Sequence, residues 1–432
     1  MNKKHFLIAI MVAAAGLLQG QHVPTPAPAQ SKAILLENGT IHIGNGEVVE
    51  NGGVLFENGK IVQAGVIRGL VKGAEKIDLQ GQHVYPGLIA PATQIGIDEI
   101  EAVRATDDRQ EVGNINPNAR AIIGYNTDSR VTPTLRSNGV LMAQIAPSGG
   151  LYRGTSSIVQ LDAWNYTDAA VVMDDGVHLS WPRLTVFEAW WAPPVEEQKK
   201  RSKERLELVT TAMDDARAYL AAKESGRDYQ VDLRWEALVP VLKREKPLYI
   251  HANTEKEIRS ALAFALKYQV RMVLVGGADS WRVTEELKKY EVPVILRKPQ
   301  SLPRLQDADI DQPFKTPKLL QDAGILYCLS MRDFWNQRNL PFQAGTAAAY
   351  GLTKEQALQS ITLNTARILG IDSTAGSLEV GKDATLLVSK GDLLDMRTSV
   401  VTHAFIQGRK IDLGNKQQDL YEKFKGKYEG KP

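Results

Sequence analysis

The sequence predicts an α/β protein in which a (β/α)8 barrel is joined to a small β-sandwich domain built from N- and C-terminal segments. Three observations support this fold class: strands alternate with helices in mid-chain, Asn-Gly pairs separate short apolar runs near the start, and a second β-rich stretch lies near the end. Such alternation is typical of parallel strands joined by crossover helices. Roughly 290 residues of it suit an eight-stranded barrel better than a small open sheet.

The alternation is clearest between residues 247 and 297. Residues 247–253, 270–277 and 292–297 are predicted strands, and the segments between them have helical periodicity. Residues 193–226 form a long predicted helix that opens with Pro-Pro and closes with Gly. Its apolar positions recur at helical spacing at Leu206, Val209, Met213, Ala216 and Leu220.

Residues 33–86 contain three Asn-Gly pairs, which favour type I′ hairpin turns because both central residues must adopt positive φ. The pairs begin at Asn38, Asn51 and Asn58. Residues 376–413 are a second β-rich stretch. Neither stretch alone has enough strands for a stable core, so we expect both to form one β domain beside a barrel at residues 87–375.

Residues 1–20 place two lysines before a short apolar run, which is typical of a secretory signal peptide. An uncleaved N-terminal anchor is the alternative. Residues 21–32 are predicted to be a Pro-rich linker, and residues 414–432 a C-terminal tail. We therefore expect an exported protein, periplasmic or secreted.

The net charge gives no reason to expect two classes of partner. The 432 residues carry a formal net charge of +2, and Lys3 and Lys4 supply it, so the chain after residue 20 is neutral. A neutral body gives no electrostatic reason to expect nucleic acid, or a membrane after signal cleavage.

Three segments resemble the amidohydrolase superfamily, and specifically its imidazolonepropionase-like branch. VYPGLIAP at residues 84–91 is similar to the "hydrophobic-PGLID" entry into the first barrel strand. Residues 340–388 resemble the last barrel helices and the return to the β domain. LYIHAN at residues 248–253 resembles the fifth barrel strand.

The resemblance implies hydrolysis of non-peptide carbon–nitrogen bonds with one or two divalent metals, zinc among them, at the barrel mouth. A metal lowers the pKa of bound water and polarises the carbonyl, while a carboxylate moves the proton. Family ligands follow the first strand as His-x-His, the fourth as a carboxylated Lys, the fifth and sixth as His, and the eighth as Asp.

Most of these ligands are missing from the sequence. Where the family has Asp-x-His-x-His, this chain has Ala90, Ala92 and Gln94. Alanine cannot bind a metal, and a glutamine amide is a weak ligand. Gly276 and Gly277 stand where the sixth-strand His is expected. The resemblance therefore implies a degenerate metal site.

Two residues remain as site candidates. His251 falls where the fifth-strand ligand belongs, so it is the candidate metal ligand, and a hydrogen-bonded structural His is the alternative. Asp333 follows the eighth strand and is the candidate catalytic carboxylate. A zinc site needs at least three suitable ligands. The other histidines are assigned outside the barrel mouth: His5, His22, His42, His83, His178 and His403.

Further features leave alternatives open. Residues 92–130 form a long polar loop, either covering a substrate or contacting a subunit, or simply solvated. Residues 146–162 begin Gly-rich, and a plain turn before a buried strand is favoured over an anion-binding loop. Cys328, the single cysteine, is a predicted buried strand residue. Four tryptophans line a pocket or interface, or belong to the core: Trp164, Trp181, Trp190 and Trp191.

Two functions are consistent with the sequence. The first is an exported metal-dependent amidohydrolase acting on a small-molecule substrate. The second is a non-catalytic homologue that binds a ligand or acts as a structural subunit beside an active relative. The absence of a Gly-x-Ser-x-Gly motif excludes the usual serine-hydrolase elbow. The resemblance also implies a homodimer, and the second function allows a heterodimer with an active amidohydrolase.

Overall fold

The computed structural model of the protein describes residues 25–69, 71–226, 229–303, 308–331 and 333–430. The predicted signal peptide and the first residues of the linker lie outside the described residues. Within the described ranges, no helix combines the length and the apolar character needed to span a membrane.

The described strands form two sheets. In chain order they are β1 (Ile34–His42), β2 (Val48–Glu57), β3 (Lys60–Gly65), β4 (Glu75–Asp78), β5 (His83–Pro86), β6 (Leu88–Thr93), β7 (Val140–Ile145), β8 (Tyr152–Gln160), β9 (Ala170–Ser180), β10 (Leu248–Ala252), β11 (Met272–Gly276), β12 (Val294–Arg297), β13 (Tyr327–Ser330), β14 (Leu386–Ser389), β15 (Val401–Ile406) and β16 (Arg409–Lys410).

From β10 to β13, helices alternate with strands as predicted. The helices of the described residues are α1 (Thr132–Arg136), α2 (Tyr166–Ala169), α3 (Val195–Glu224), α4 (Leu233–Leu242), α5 (Glu255–Tyr268), α6 (Thr284–Lys289), α7 (Gln312–Ala323), α8 (Leu340–Ala349), α9 (Lys354–Gln359), α10 (Leu363–Leu369) and α11 (Lys416–Tyr428). The predicted long helix is confirmed as α3. Helix α5 begins with a capping box in which Thr254 and Glu257 satisfy each other's backbone N–H groups.

One sheet joins the two β-rich stretches. Its strand order is β16-β15-β14-β5-β1-β2-β3, with β4 paired to β1. Strand β14 from the C-terminal stretch pairs antiparallel with β5 from the N-terminal stretch. The expectation that the two stretches meet is confirmed, whereas the division into a two-sheet sandwich stays a prediction.

Only one of the three Asn-Gly pairs reverses the chain. Asn58 and Gly59 have positive φ and form the tight turn between β2 and β3, as predicted. Asn38 and Asn51 also have positive φ, but they lie inside β1 and β2. The register between these strands shifts around Gly39, which faces Gly52. Those two hairpin predictions were wrong, because the positive φ serves a bulge in a continuing strand.

The second sheet is a nearly closed barrel with the order β13-β12-β11-β10-β9-β8-β7-β6. At the seam, the Ser330 hydroxyl donates to the Pro91 carbonyl at 2.8 Å. The carbonyls of Ser360 and Ile361 accept from the backbone of β13 and β6, respectively. Residues between α9 and α10 therefore occupy part of the gap between the two edge strands.

Strand β8 departs from the predicted (β/α)8 pattern. It runs antiparallel to both β7 and β9, whereas the other neighbours in this sheet are parallel. The β7–β8 connection, residues 146–151, is too short for a crossover, since a parallel pair needs a dozen or more residues. The expected uniform alternation of parallel strands and helices therefore fails at this strand.

A buried carboxylate joins the barrel, the first sheet and the chain before β1. Asp162 follows β8 and is only 3% exposed. It accepts hydrogen bonds from Arg136 Nη1 at 2.5 Å, Arg409 Nη1 at 2.8 Å and the Ala27 backbone N–H at 2.9 Å. Asp162 thus supplies a buried negative charge to two arginines, Arg136 and Arg409, from distant parts of the chain.

We expect Asp162→Asn to lower the free energy of unfolding by about 3 kcal/mol or more, because it leaves two arginines without their buried counter-charge. Urea unfolding followed by circular dichroism measures the change. The matched control is Asp383→Asn, whose partner Lys60 is half exposed, and it should cost about 1 kcal/mol or less. Equal losses in the two variants would contradict the role given to Asp162.

Candidate functional site

The candidate site lies at the barrel mouth, the end of the barrel sheet where its parallel strands finish. His251 pairs in register with Ser180 near the ends of β10 and β9. Because β8 runs in the opposite direction, its first residues lie at this same end, and Gly154 pairs with His178. Arg153, Ser180 and His251 therefore meet on three adjacent strands.

The Arg153 guanidinium contacts both neighbouring strands. Its Nε donates to the Ser180 hydroxyl at 2.7 Å. Its Nη1 lies 3.2 Å from His251 Nδ1 and 3.3 Å from His251 Nε2. All three side chains are partly exposed, so this cationic group forms the solvent-facing floor of the mouth.

His178 lies directly beneath this floor. Its Nδ1 is 2.8 Å from His251 Nε2, and its Nε2 is 2.9 Å from the Ser156 hydroxyl. The ring stacks on Tyr249 with centroids 4.6 Å apart. His178 was expected to lie outside the barrel mouth, and that expectation was wrong: it is a buried residue of β9 next to His251.

A buried carboxyl group ends the polar column. Asp175 Oδ2 accepts from Gln144 Nε2 at 2.7 Å and from the Tyr249 hydroxyl at 2.8 Å. Gln144 Nε2 also donates to the Ser156 hydroxyl at 3.2 Å, which links Ser156 to Asp175 through the amide of Gln144. Asp174 has positive φ and the register of β8 and β9 shifts in this region, so Asp175 lies beside a bulge in β9. A hydrogen-bonded column thus connects Arg153 to Asp175.

One proton arrangement gives every donor in the column its own acceptor. Arginine can only donate, so His251 must accept through a ring nitrogen. If Nδ1 accepts, Nε2–H donates to His178 Nδ1, and His178 Nε2–H donates to Ser156. The other tautomer would place both Arg153 and His178 on the single lone pair of His251 Nε2. The column therefore runs donor to acceptor from the mouth as far as Ser156, whose hydroxyl donates to the Gly176 carbonyl at 3.4 Å.

Burial decides the ionisation of the inner groups. It lowers the pKa of His178 well below its ordinary value, and the nearby Arg153 charge lowers this pKa further. Burial also raises the pKa of Asp175, against the opposing effect of the polar donors around its carboxyl group. His178 is consequently neutral at physiological pH, as its donor and acceptor roles require.

Alanine and glycine occupy positions where the family resemblance implies metal ligands. Ala90 is buried in β6, and the Ala92 N–H donates to Gln144 Oε1 at 3.0 Å. Gly277 follows β11 with φ +56°, and a Cβ there would lie 3.0 Å from Val294 Cγ1. A histidine at that position would be both strained and crowded.

The carboxylate of Asp333, the candidate catalytic residue, is held in a turn by hydrogen bonds. The Asp333 carboxylate accepts from the Asn336 N–H at 2.6 Å and from Asn336 Nδ2 at 2.7 Å, which secures the turn before α8. In the part of the chain that the structure describes, no three His, Cys, Asp or Glu side chains converge to hold a metal ion. The roles predicted for both residues stay predictions.

The long polar loop packs beside the mouth. Arg109 joins Asp98 at 2.9 Å and Asp107 at 2.7 Å, which ties the loop to itself. The Ser148 N–H donates to the Arg109 carbonyl, and the Asn116 N–H to the Tyr152 carbonyl. The loop thus lies against the turn that starts β8, where it borders Arg153.

The remaining candidates resolve into structural roles. The Gly-rich segment is a turn leading into β8, as favoured, and Cys328 is buried in β13 as predicted. Trp181 is buried and packs edge-on against Phe264. The other three tryptophans of that stretch are exposed: Trp164, Trp190 and Trp191.

Sequence reasoning missed Arg153, Ser156 and Asp175. The available signal was the short Gly-rich connection before β8, which is incompatible with a parallel crossover. Reversing that strand would have moved Arg153 to the mouth. The position of Asp175 could not have been inferred in the same way, because it depends on a bulge.

We expect stability to fall as pH drops below about 6.5, because the unfolded chain protonates at His178 while the folded chain keeps this buried ring neutral. The slope contributed by one such histidine approaches about 1.36 kcal/mol per pH unit. Urea midpoints between pH 7.5 and 5.5 measure it.

His178→Gln removes the titrating ring and should flatten this dependence. His83→Gln serves as the comparison. Half-burial and the neighbouring His42 lower the pKa of His83 in the first sheet, but burial lowers the pKa of His178 further, so the pH slope should change less in His83→Gln. An unchanged pH slope in His178→Gln would show that the ring is not held neutral in the fold.

One segment of the chain is similar in sequence to known proteins, and most of the chain is similar in structure to solved proteins. Residues 312–411 match the model of the amidohydrolase family. An amidohydrolase of Hapsidospora irregularis is 34% identical over 113 residues, which is 24% of this chain. The match spans only 11% of that protein's length.

Solved structures share the fold. An amidohydrolase from Thermotoga maritima has a TM-score of 0.75 at 23% identity, covering 88% of this chain and 99% of its own. Molinate hydrolase has a TM-score of 0.55 at 16% identity, covering 89% and 95%. A zinc-bound adenosine deaminase from Xanthomonas campestris has a TM-score of 0.52 at 15% identity, covering 94% and 99%. The family model thus matches one segment of the chain, and the solved structures show a shared fold.

Proposed function

We propose that this protein is a non-hydrolytic amidohydrolase homologue that binds a small anionic ligand at its barrel mouth without a divalent metal. Within the superfamily we place it in the imidazolonepropionase-like branch, with a degenerate metal site. One observation carries the proposal: the Arg153 guanidinium lies within hydrogen-bonding distance of both ring nitrogens of His251.

The residues at the mouth do not fit the divalent metal that the superfamily implies. A metal ligand must offer a lone pair, whereas both nitrogens of His251 are engaged by Arg153 and His178. A fixed guanidinium charge also repels a second cation at this distance. The first-strand and sixth-strand ligand places hold alanine, glutamine and glycine. No hydrolytic step through a metal is derived for this site.

The same arrangement suits an anion. A guanidinium presents planar, paired donors that match a carboxylate, and it stays charged at every physiological pH. Partial burial strengthens the attraction, because less water screens the charge. Ser180 and His251 hold the Arg153 side chain in place, which reduces the entropy lost when a ligand binds.

We also propose where the protein acts and with which protein it associates. The lysines and apolar run of residues 1–20 support export to the periplasm or the medium. The family resemblance supports a homodimer, or a complex with an active amidohydrolase.

Binding and turnover should separate in the purified mature protein. We expect elemental analysis to find no stoichiometric divalent metal, and amine-release assays to detect no hydrolysis of cyclic amides or N-acetylated amino acids. Titration calorimetry should detect binding of N-acetylated amino acids through their carboxylate. Arg153→Met should weaken this binding at least about tenfold, since a hydrogen bond to a charged group contributes roughly 1.5–3 kcal/mol.

Arg234→Met is the matched control, because Arg234 is half exposed on α4 and pairs with Asp232. It should leave binding unchanged. One divalent ion per chain, lost together with hydrolysis in His251→Ala, would overturn the proposal in favour of a metal-dependent hydrolase. Failure of these carboxylates to bind would overturn the ligand assignment.

A further inference from the structure

We propose that α11 docks flat on an anionic phospholipid surface and so holds the protein against a membrane. The proposal is independent of the barrel mouth. It rests on the composition of one helix, on how little of that helix the body covers, and on the order of charges around it.

An aromatic face runs along α11. At 100° per residue, its four large apolar side chains fall within one arc of about 100°. All thirteen residues of α11 are described, and none is buried. The members of this aromatic face are between 41% and 80% exposed: Leu420, Tyr421, Phe424 and Tyr428.

Charges are ordered around this face. Lys416, Lys423 and Lys427 border one edge, and Lys425 borders the other. Asp419 and Glu422 lie on the opposite side of the helix. Three of the lysines lie within 6 Å of a ring on the same helix: Lys423 by Phe424, Lys425 by Tyr421 and Lys427 by Tyr428. The helix thus presents aromatic rings flanked by cations, and turns its acids away.

Among the described residues, hydrogen bonds join the body to the start of the helix alone. Asn415 caps it by accepting from the Gln417 and Gln418 N–H groups, and its amide donates to the Ser137 hydroxyl at 3.0 Å. The Thr134 hydroxyl donates to Gln417 Oε1 at 2.9 Å. The aromatic face beyond this anchor is therefore presented to a partner.

The charge order favours a lipid surface over a second copy of the chain. Tyrosine, phenylalanine and lysine at the border of an apolar face suit the headgroup region, where rings bury their apolar part and ammonium groups meet lipid phosphates. Two copies packed through these faces would bring two lysine-bordered surfaces together, which is unfavourable. At 1.5 Å per residue, the helix is about 20 Å long, so it lies on a bilayer rather than crossing it.

This inference departs from the expectation that no membrane partner exists. That expectation used the net charge of the whole chain, which is close to zero. Membrane attraction acts within about a Debye length, so the local order of charges on α11 matters more than the chain's total.

Vesicle co-sedimentation of the full mature chain tests the proposal. Binding is measured on vesicles of phosphatidylcholine alone and on vesicles containing 30% phosphatidylglycerol. We expect binding only to the anionic vesicles, weakening as salt is raised. Changing Lys423, Lys425 and Lys427 to Gln should lower the partition constant on the order of a hundredfold.

A triple variant of equal charge change provides the control: Lys199, Lys200 and Lys203 to Gln on the solvated face of α3, where all three are more than half exposed. It should bind vesicles as the unaltered protein does. Phe424→Gln should reduce binding without altering the oligomeric state by light scattering. Equal loss in both triple variants, no binding to anionic vesicles, or dissociation of a dimer by Phe424→Gln would overturn the proposal.

Discussion

The antiparallel course of β8 determines the chemistry of the barrel mouth. Strand direction decides which end of a strand reaches the mouth, so reversing one strand exchanges its last residues for its first. Arg153 is the second residue of β8, and this reversal places it beside His251. In a uniform (β/α)8 barrel the same residue would lie at the opposite end. The short connection between β7 and β8, residues 146–151, thus leads to a positive charge at the barrel mouth.

The column below Arg153 shows how a barrel interior tolerates polar groups. Each polar side chain from His251 to Asp175 has a hydrogen-bonding partner, which offsets the cost of removing it from water. Neutral His178 connects the guanidinium to the interior without adding a second buried charge. Within the described column, Asp175 Oδ1 has no hydrogen-bond partner, so one buried acceptor is left unsatisfied.

The fold was largely predictable and the site was not. Parallel strands and their helices have distinct periodicities, so β10, β11 and α5 could be inferred with few errors. The hairpin turn predicted at Asn38 was wrong, because positive φ occurs in β-bulges as well as in hairpin turns. His251 was found by resemblance, whereas Arg153 depends on strand direction, which periodicity does not encode. Sites formed by long-range pairing therefore need the topology before they can be predicted.

In the proposed function, a guanidinium at the barrel mouth attracts an anion as a metal ion would, but it cannot activate water. A divalent ion lowers the pKa of its bound water by accepting a lone pair. A guanidinium has no orbital for this purpose and stays protonated, so it can only donate hydrogen bonds. In the proposed function His251 is an acceptor for Arg153, while its role as a metal ligand stays a prediction. The proposed loss of hydrolysis then follows from the kind of cation at the mouth, while the capacity to hold a carboxylate follows from its charge.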